Sequence, residues 1–386
     1  KMNKAAKLKT DKTLVAIRKD FHANPELSGE EFKTALKVIS ILSSYQPTKV
    51  IDQVGGTGVI AIFDSGNPGK TVLFRAELDA LPILEINRFK HRSTVDKVSH
   101  KCGHDGHMTI LLGLAKRLAD HPLKNGKVVL LFQPAEENGQ GAKAVLADPK
   151  FSKIKPDFVF AFHNLPGYPL NQVVVKKDSF TAEVKSVIIK LKGKTAHAAE
   201  PEFGNNPALA IAEILTQSAL LSNNKPERDD FVVITPIHIE MGTISYGISA
   251  GYGALRLTLR TWTKGTMKVL VSDLLKIIAA ASQNHQLNAE INWTHQFAAN
   301  QNNEQAVNMI MESAIQQQVP VSTREFPFKW GEDFGLFTQK FKGAMFGIGA
   351  GEDTPALHNP DYDFPDQMIP LGVGLFYCIA SNILDK

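Results

Sequence analysis

The sequence has few cysteines, no excess of charge of one sign and no long apolar run. Two cysteines in 386 residues exclude a disulfide framework. The 43 basic and 39 acidic side chains nearly balance, and no block of lysine and arginine interleaved with aromatics indicates a nucleic-acid face. No stretch is long and apolar enough to predict a membrane span, and no apolar segment of a signal peptide follows the polar start. We therefore expect a cytoplasmic protein without nucleic-acid or membrane partners.

Apolar residues make up 43% of the sequence, which is enough for the core of one large domain or two. In the first half of the chain, runs with strand character alternate with helical stretches, and this order predicts an α/β fold with a largely parallel sheet. The predicted strands cover residues 58–63, 71–78, 128–132 and 157–162. The predicted helices cover residues 11–42, with an interruption at 24–25, then 108–119 and 141–146.

The middle of the chain follows a different order. Residues 184–296 predict strand, helix, two strands, helix and strand, which is the βαββαβ order of a ferredoxin-like unit with an antiparallel sheet. Such a unit can be inserted into a host domain when its two ends lie close together. The sequence therefore predicts a discontinuous domain of residues 1–183 and 297–386, interrupted by an inserted domain of residues 184–296.

Three of the predicted strands end in residues that can bind a metal ion or a proton. Asp79 follows the second strand, Glu136 and Glu137 follow the third, and His163 follows the fourth. Because the carboxyl ends of parallel strands meet at one edge of a sheet, we expect these side chains to converge there. A turn-rich stretch near the C-terminus carries His358, which could fold back over the same edge.

Residues 100–107 hold three histidines, one cysteine and one aspartate, a dense set of donors for Zn²⁺ or a similar divalent ion. Gly103 and Gly106 allow a tight turn of the backbone, which would aim Cys102 and His104 at one point while the next residues enter a helix. The alternative is a polar loop whose histidines lie in solvent.

The adjacent pair Glu136 and Glu137 indicates hydrolytic chemistry. Neighbouring carboxylates beyond a strand end can diverge, so that one binds a metal ion while the other takes a proton from a metal-bound water. A divalent ion lowers the pKa of such a water toward ~7 and polarises the carbonyl under attack, which favours amide hydrolysis at neutral pH. The alternative is a solvated acidic turn.

Seven blocks in this order resemble the M20 metallopeptidase clan, in its branch of amidohydrolases related to aminoacylase, hippurate hydrolase and auxin-conjugate hydrolase. The resemblance covers nearly the whole chain. The blocks are FHANPELS at 21–28, RAELDALP at 75–82, HKCGHDGH at 100–107, FQPAEE at 132–137, GKTAHAAEP at 193–201, EDFG at 332–335 and LHNPDYDFPD at 357–366.

This resemblance implies a zinc-peptidase-like catalytic domain with a mixed sheet, in which the inserted domain is a lid. It implies that two divalent ions per subunit, drawn from Zn²⁺, Mn²⁺, Co²⁺ and Ni²⁺, are held by Cys102, His104, Glu137, His163 and His358. It also implies that Glu136 is the general base, and that Asp79 and Asp105 support the metal-binding histidines.

In the related enzymes the lid often mediates dimerisation, so the resemblance implies a homodimer or higher homo-oligomer. Its histidine, here His197, polarises the scissile carbonyl or its oxyanion. Relatives also use a lid asparagine and a strand arginine to bind the carboxylate of the amino-acid half. This chain has Arg260 but carries Gly247 at the turn, so Asn205 or Asn206 is our candidate for the missing donor.

We therefore expect a metal-dependent amidohydrolase that cleaves the amide bond of N-acyl amino acids or similar small conjugates. A dipeptidase or aminopeptidase would use the same machinery on a free amino terminus. A catalytically inactive binding protein of the same fold is the third reading, but none of the metal-binding residues nor Glu136 has been lost.

Overall fold

The computed structural model describes residues 11–385, so predictions for residues 1–10 lie outside the described part of the chain. The helices are α1 Lys12–Ala23, α2 Phe32–Ser44, α3 His104–Asp120, α4 Gly141–Ala147, α5 Pro149–Ser152, α6 Ala208–Ala219, α7 Lys264–Asn284, α8 Glu304–Gln316, α9 Gly335–Thr338 and α10 Met368–Leu384. The strands are β1 Lys49–Val54, β2 Gly58–Asp64, β3 Thr71–Glu77, β4 Lys127–Gln133, β5 Phe158–Pro166, β6 Val173–Val175, β7 Asp178–Ser179, β8 Glu183–Lys192, β9 Ala196–His197, β10 Val232–Met241, β11 Ile248–Ser249, β12 Tyr252–Thr261, β13 Asn288–Phe297, β14 Gln301–Asn302, β15 Val321–Thr323 and β16 Gly343–Gly351.

The chain separates into two compact units. In the described part of the chain, unit 1 comprises residues 11–180, 300–325 and 332–385, and unit 2 comprises residues 181–299 and 326–331. No helix in the described residues is both long and apolar enough to cross a membrane.

Unit 1 is built on an eight-stranded sheet with the order β1-β2-β4-β3-β5-β16-β6-β15. Strands β4, β3, β5 and β16 are mutually parallel. At one side of them β2 pairs antiparallel with β4 and with β1, and at the other side β6 pairs antiparallel with β16. The predicted α/β fold with a mixed sheet is confirmed. The central strands β3 and β4 are buried along nearly their whole length, which explains their continuous apolar runs.

Helices α1, α2, α3, α8 and α10 cover the sheet with apolar side chains that form one core with β3, β4 and β5. The helix predicted at 11–42 divides into α1 and α2. Strand β16 was not predicted, because its residues GAMFGIGAG include four glycines, which have low strand propensity. Several of these glycines lie where side chains have no room: a Cβ on Gly347 would lie 2.1 Å from Leu165.

Unit 2 contains a four-stranded antiparallel sheet with the order β10-β12-β8-β13. Apolar residues of α6 and α7 pack on one face of this sheet and close a separate core. The predicted βαββαβ order is confirmed, and the sheet order is the one expected of a ferredoxin-like unit. All three tryptophans of the sequence, Trp262, Trp293 and Trp330, belong to unit 2.

We predict that Phe74→Ala lowers the free energy of unfolding of unit 1 by about 3–5 kcal/mol, because it opens a cavity in the core. The Phe74 ring is fully buried and its centroid lies 4.7 Å from that of Phe376 and 5.8 Å from that of Phe160. Phe32→Ala is the matched control. Because the Phe32 side chain is 64% exposed, this substitution should change the free energy of unfolding little. Urea unfolding followed by far-UV circular dichroism measures both variants, and tryptophan fluorescence reports unit 2 alone. Equal losses in the two variants would contradict this core.

Candidate metal centre

The edge of the unit 1 sheet gathers most of the residues that the sequence singled out. Strands β4, β3 and β5 are neighbours, so the chain segments that follow them emerge side by side. Asp79 lies two residues beyond β3, and Glu136 and Glu137 lie just beyond β4. His163 was expected after its strand, but β5 continues to Pro166 and holds His163 within it. The predicted convergence at the sheet edge follows from this strand order.

Gly103 sets the start of helix α3. Its φ of +94° is left-handed, and a Cβ at this position would lie 2.5 Å from the Asn164 side chain. Glycine is therefore required both by the backbone conformation and by the close approach. This turn places Cys102 before the helix and His104 as its first residue, both buried.

Hydrogen bonds fix which nitrogen of His104 is available. Its Nδ1 donates to the backbone carbonyl of Asp79 at 2.9 Å, so in the neutral form of the ring Nε2 carries the lone pair. No hydrogen-bond partner of this buried Nε2 is found among the described residues. Nε2 lies 3.8 Å from an oxygen of Glu136 and 3.8 Å from an oxygen of Glu137. The Nε2 atom of His104, which can bind a metal ion, thus lies near two carboxylates and has no hydrogen-bond partner among the described residues.

Asp79 organises the turn that carries the two glutamates. Its Oδ2 accepts hydrogen bonds from the Ser28 hydroxyl at 2.7 Å and from the Glu137 backbone N–H at 2.9 Å. Its Oδ1 lies 3.4 Å from Nδ1 of His104. A second buried carboxylate, Glu31, accepts a hydrogen bond from the backbone N–H of Ala135 at 2.8 Å. Ala135 has a left-handed φ of +49°. The turn is therefore held by carboxylates on both sides.

The five predicted metal ligands lie in two overlapping groups. Sγ of Cys102 and Nε2 of His163 are 3.5 Å apart, and His104 joins them in one group. Cys102 also belongs to a second group with Glu137 and His358. One oxygen of Glu137 faces His104, while the other lies 3.7 Å from Nε2 of His358. Cys102 is thus common to both groups.

The electrostatics of these groups fit divalent cations. Burial raises the pKa of the Cys102 thiol well above its usual value, and the carboxylates of Glu137 and Glu136 raise it further. Burial also raises the pKa of Glu137, to about 7. Burial lowers the pKa of His163 to about 3, so its imidazole is neutral. A cation would supply the positive charge that a thiolate and two carboxylates need, and neutral imidazole is the form that binds metals.

Glu136 forms a further group of possible ligands with His104 and Glu137, but it is absent from the group of Cys102, Glu137 and His358. It is 5% exposed, and burial together with the nearby Glu332 and Glu137 carboxylates raises its pKa well above the ordinary value. A carboxylate with a raised pKa can accept a proton near neutral pH. Its position 3.8 Å from Nε2 of His104 brings it beside the ligand groups.

The other two histidines of residues 100–107 have different environments. Both ring nitrogens of His107 face oxygen acceptors, Glu77 and Asn164, each at 2.7 Å. His107 is therefore occupied by hydrogen bonds. His100 is fully buried, and burial lowers its pKa to about 3. Only the folded chain separates these roles, because the partners come from distant segments.

A third cluster of donors, His22, Asp105 and Asp363, does not fit a metal ion. The guanidinium of Arg18 already donates to Asp105 at 3.0 Å and to Asp363 at 2.8 Å. A fixed cation thus stands where a metal ion would bind, and the cluster is a buried ion-pair network.

The sequence did not predict a role for Arg75, which binds carboxylates that act on Glu136. The fully buried guanidinium is hydrogen bonded to Glu77, and it donates to Glu332 and Asp333 at 2.6 Å each. It balances carboxylates that would otherwise repel Glu136. The signal was present in the sequence, because Arg75 and the Glu332-Asp333 pair lie in two of the recognised blocks.

In unit 2, three of the predicted lid positions lie together. His197 is exposed on β9 and pairs with Ile248 of β11, beside Gly247. The side chain of Asn206 donates to Ser249 of the same strand at 3.1 Å and also accepts from the N–H of Ala208, where α6 begins. The turn that lacks the usual asparagine is therefore next to His197.

Arg260 lies elsewhere in unit 2. It pairs with Val184 near one end of β12, whereas β9 and β11 lie beyond the opposite end, at Tyr252. Eight residues of extended strand span about 26 Å, so His197 and Arg260 are separated by roughly 20 Å or more. The Arg260 guanidinium donates to the carbonyl of Lys329 at 2.7 Å. Asn205 is engaged through its backbone, which pairs with Lys194.

Comparison with known proteins identifies the family of the chain. The family model described as "Peptidase family M20/M25/M40" matches residues 73–382. The chain is 31% identical to hippurate hydrolase of Campylobacter jejuni, over 95% of this chain and 96% of that protein. It is 29% identical to N-acetyldiaminopimelate deacetylase of Bacillus subtilis, over 95% and 99%.

A crystal structure of a Bacillus subtilis protein, described as a dinuclear metal binding peptidase from the M20 family, superimposes with a TM-score of 0.82. The two chains are 27% identical, and the comparison covers 97% of this chain and 98% of the other. The sequence match and the shared fold both extend over nearly the whole molecule, and the chain therefore belongs to peptidase family M20/M25/M40.

Proposed function

We propose that this protein is a metal-dependent amidohydrolase that cleaves the amide bond of N-acyl amino acids or similar small conjugates. The observation that carries the proposal is the division between two adjacent carboxylates. Glu137 faces His104 and His358 through separate oxygens, whereas Glu136 lies beside His104 and outside the group that Cys102, Glu137 and His358 form. Names of the relatives, a hippurate hydrolase and an N-acetyldiaminopimelate deacetylase, support amide hydrolysis of acylated amino acids.

In this proposal two divalent ions are held by the side chains of Cys102, His104, Glu137, His163 and His358. When bound, such ions act as Lewis acids that polarise the scissile carbonyl and acidify the attacking water. Asp79 keeps the His104 ring and the Glu137 backbone in place through its carbonyl and carboxylate oxygens.

Glu136 is the general base of the proposed reaction. Its carboxylate takes a proton from the attacking water and delivers it to the leaving nitrogen, which leaves as a neutral amine. The raised pKa supports the second step, since the protonated carboxyl must persist until the C–N bond breaks. Two of the carboxylates that raise this pKa, Glu332 and Asp333, are themselves held by Arg75.

His197 is our candidate for stabilising the oxyanion that forms on the carbonyl, and Arg260 for binding the substrate carboxylate. Both are proposals from the sequence. Their separation of roughly 20 Å or more within unit 2 exceeds the length of an N-acyl amino acid. We therefore infer that they act on one substrate only if a second copy of the chain supplies one of them, in keeping with a homodimer.

Glu136→Gln is expected to lower kcat for N-acyl amino acids by about 10²–10⁴-fold, because the amide cannot accept the proton. Metal content, measured by elemental analysis, should remain that of the unchanged protein. Glu30→Gln, at an exposed position, is the matched control. Retention of most of the activity in Glu136→Gln would remove Glu136 from the role of base.

Chelation is expected to abolish turnover, and addition of Zn²⁺, Mn²⁺, Co²⁺ or Ni²⁺ should restore it, because the ions supply the Lewis acid. The assay compares N-acetyl and N-benzoyl amino acids with dipeptides before and after chelation. Faster hydrolysis of dipeptides would replace the amidohydrolase by a dipeptidase. Metal binding without turnover on any of these substrates would contradict the proposed substrate class.

His197→Ala should lower kcat by about 10²–10³-fold and leave metal content unchanged, since it removes one oxyanion donor. A fall in metal content would instead make His197 a ligand. Mixing His197→Ala with Glu136→Gln tests the second copy: regained activity requires that one chain supply His197 to a site whose Glu136 belongs to the other. A mixture as inactive as its components would place both residues in one chain.

A further inference from the structure

A buried arginine joins two of the chain segments that carry predicted metal-binding residues of unit 1. The Arg18 side chain, on α1, is 1% exposed. Its Nη1 donates to Asp105 at 3.0 Å and to Asp363 at 2.8 Å, and its Nε donates to Asp366 at 2.6 Å. Asp105 directly follows His104, whereas Asp363 and Asp366 follow His358 in the C-terminal segment. Arg18 therefore holds both segments at once.

The segment that carries His358 needs such an anchor. Between β16 and α10 the described residues form turns and irregular backbone, and His358 has a left-handed φ of +66°. Its side chain is 53% exposed, so packing does little to fix the ring. Without an anchor, this side chain would lose conformational entropy on binding an ion, and its affinity for the ion would be lower.

A second anchor reaches the same segment from the residue before Cys102. The backbone N–H of His358 donates to the carbonyl of Lys101 at 2.8 Å. The Lys101 ammonium donates to the carbonyl of Tyr362 at 2.8 Å and to Glu85 at 2.5 Å. Lys101 thus fixes the start and middle of the segment, and Arg18 fixes its end.

Around Arg18 the carboxylates have further partners that fix their directions. His22 lies between Asp105 and Glu85, with its two ring nitrogens 2.8 Å and 3.0 Å from their oxygens. His91 lies 3.1 Å from the second oxygen of Asp363. Charged hydrogen bonds of this kind are stronger than neutral ones, and burial strengthens them further.

We propose that Arg18 is a positioning residue for His358: by holding Asp363 and Asp366 against the start of α3, it preforms the group of Cys102, Glu137 and His358 for an ion. The inference rests on the proposed function, because it takes His358 as a ligand. Arg18 itself forms no hydrogen bond with any of the five ligands in the described chain, so it acts through the aspartates that it holds.

The clamp, by which we mean the hydrogen bonds of Arg18 to Asp363 and Asp366, can be tested separately from the ligand His358. Asp363→Ala combined with Asp366→Ala releases the C-terminal segment from Arg18 but leaves the buried Arg18–Asp105 pair intact. Titration of the chelated full chain with Zn²⁺ should show at least tenfold weaker binding of one of two ions. His358→Ala should weaken the same ion, and the triple variant should be no more than twofold weaker than His358→Ala. Thermal unfolding checks that each variant is folded.

Lys19→Gln is the matched control, because Lys19 approaches Asp366 from the exposed side at 3.7 Å and should not position the segment. If the double variant fails to fold, Asp366→Ala alone should still weaken the ion at least threefold, since Asp366 is 25% exposed and its loss leaves Arg18 two partners. Unchanged Zn²⁺ binding in a folded clamp variant, or losses that add to that of His358→Ala, would overturn the clamp. An unchanged chain that binds no Zn²⁺ would overturn the proposed function as well.

Discussion

Burial of negative charge at one edge of the eight-stranded sheet is the constraint on which the rest of the site depends. Cys102, Glu136 and Glu137 gather there away from water, and burial raises the pKa of each group. Buried anions are stable only where a cation is near or where they are protonated. A site with these groups therefore either stays neutral or binds positive charge, and its donors are those that suit divalent metals.

The two buried arginines near this charge form their hydrogen bonds with other carboxylates. Arg75 is occupied by Glu77, Glu332 and Asp333 on one side of the site. Arg18 is occupied by three aspartates on another side. Each arginine neutralises carboxylates that support the site, and neither is hydrogen bonded to Glu136 or Glu137 in the described chain. The ligand groups thus keep their affinity for a mobile cation while the surrounding scaffold is held by fixed ones.

Much of the fold could be predicted from the sequence, and the reason is visible in particular strands. β3 and β4 are continuous apolar runs because both their faces are buried, and such runs stand out. β16 is equally buried, but close neighbours leave room only for glycine at several of its positions. Because glycine has a low strand propensity, the residues of β16 do not predict a strand. The order of elements in unit 2 followed from helical and strand periodicity, whereas the boundaries of the inserted domain and the roles of the site residues stay predictions.

By itself, the sequence determined the fold class, the family and the set of residues that can bind metal ions, because those depend on residue type and local pattern. Only the tertiary structure decided which surroundings each member of that set has. Among the histidines of residues 100–107, His104 keeps a free Nε2 because the Asp79 carbonyl takes its Nδ1–H, while His107 is occupied by Glu77 and Asn164. Those partners come from segments 25 to 57 residues away along the chain, so no local pattern could reveal them.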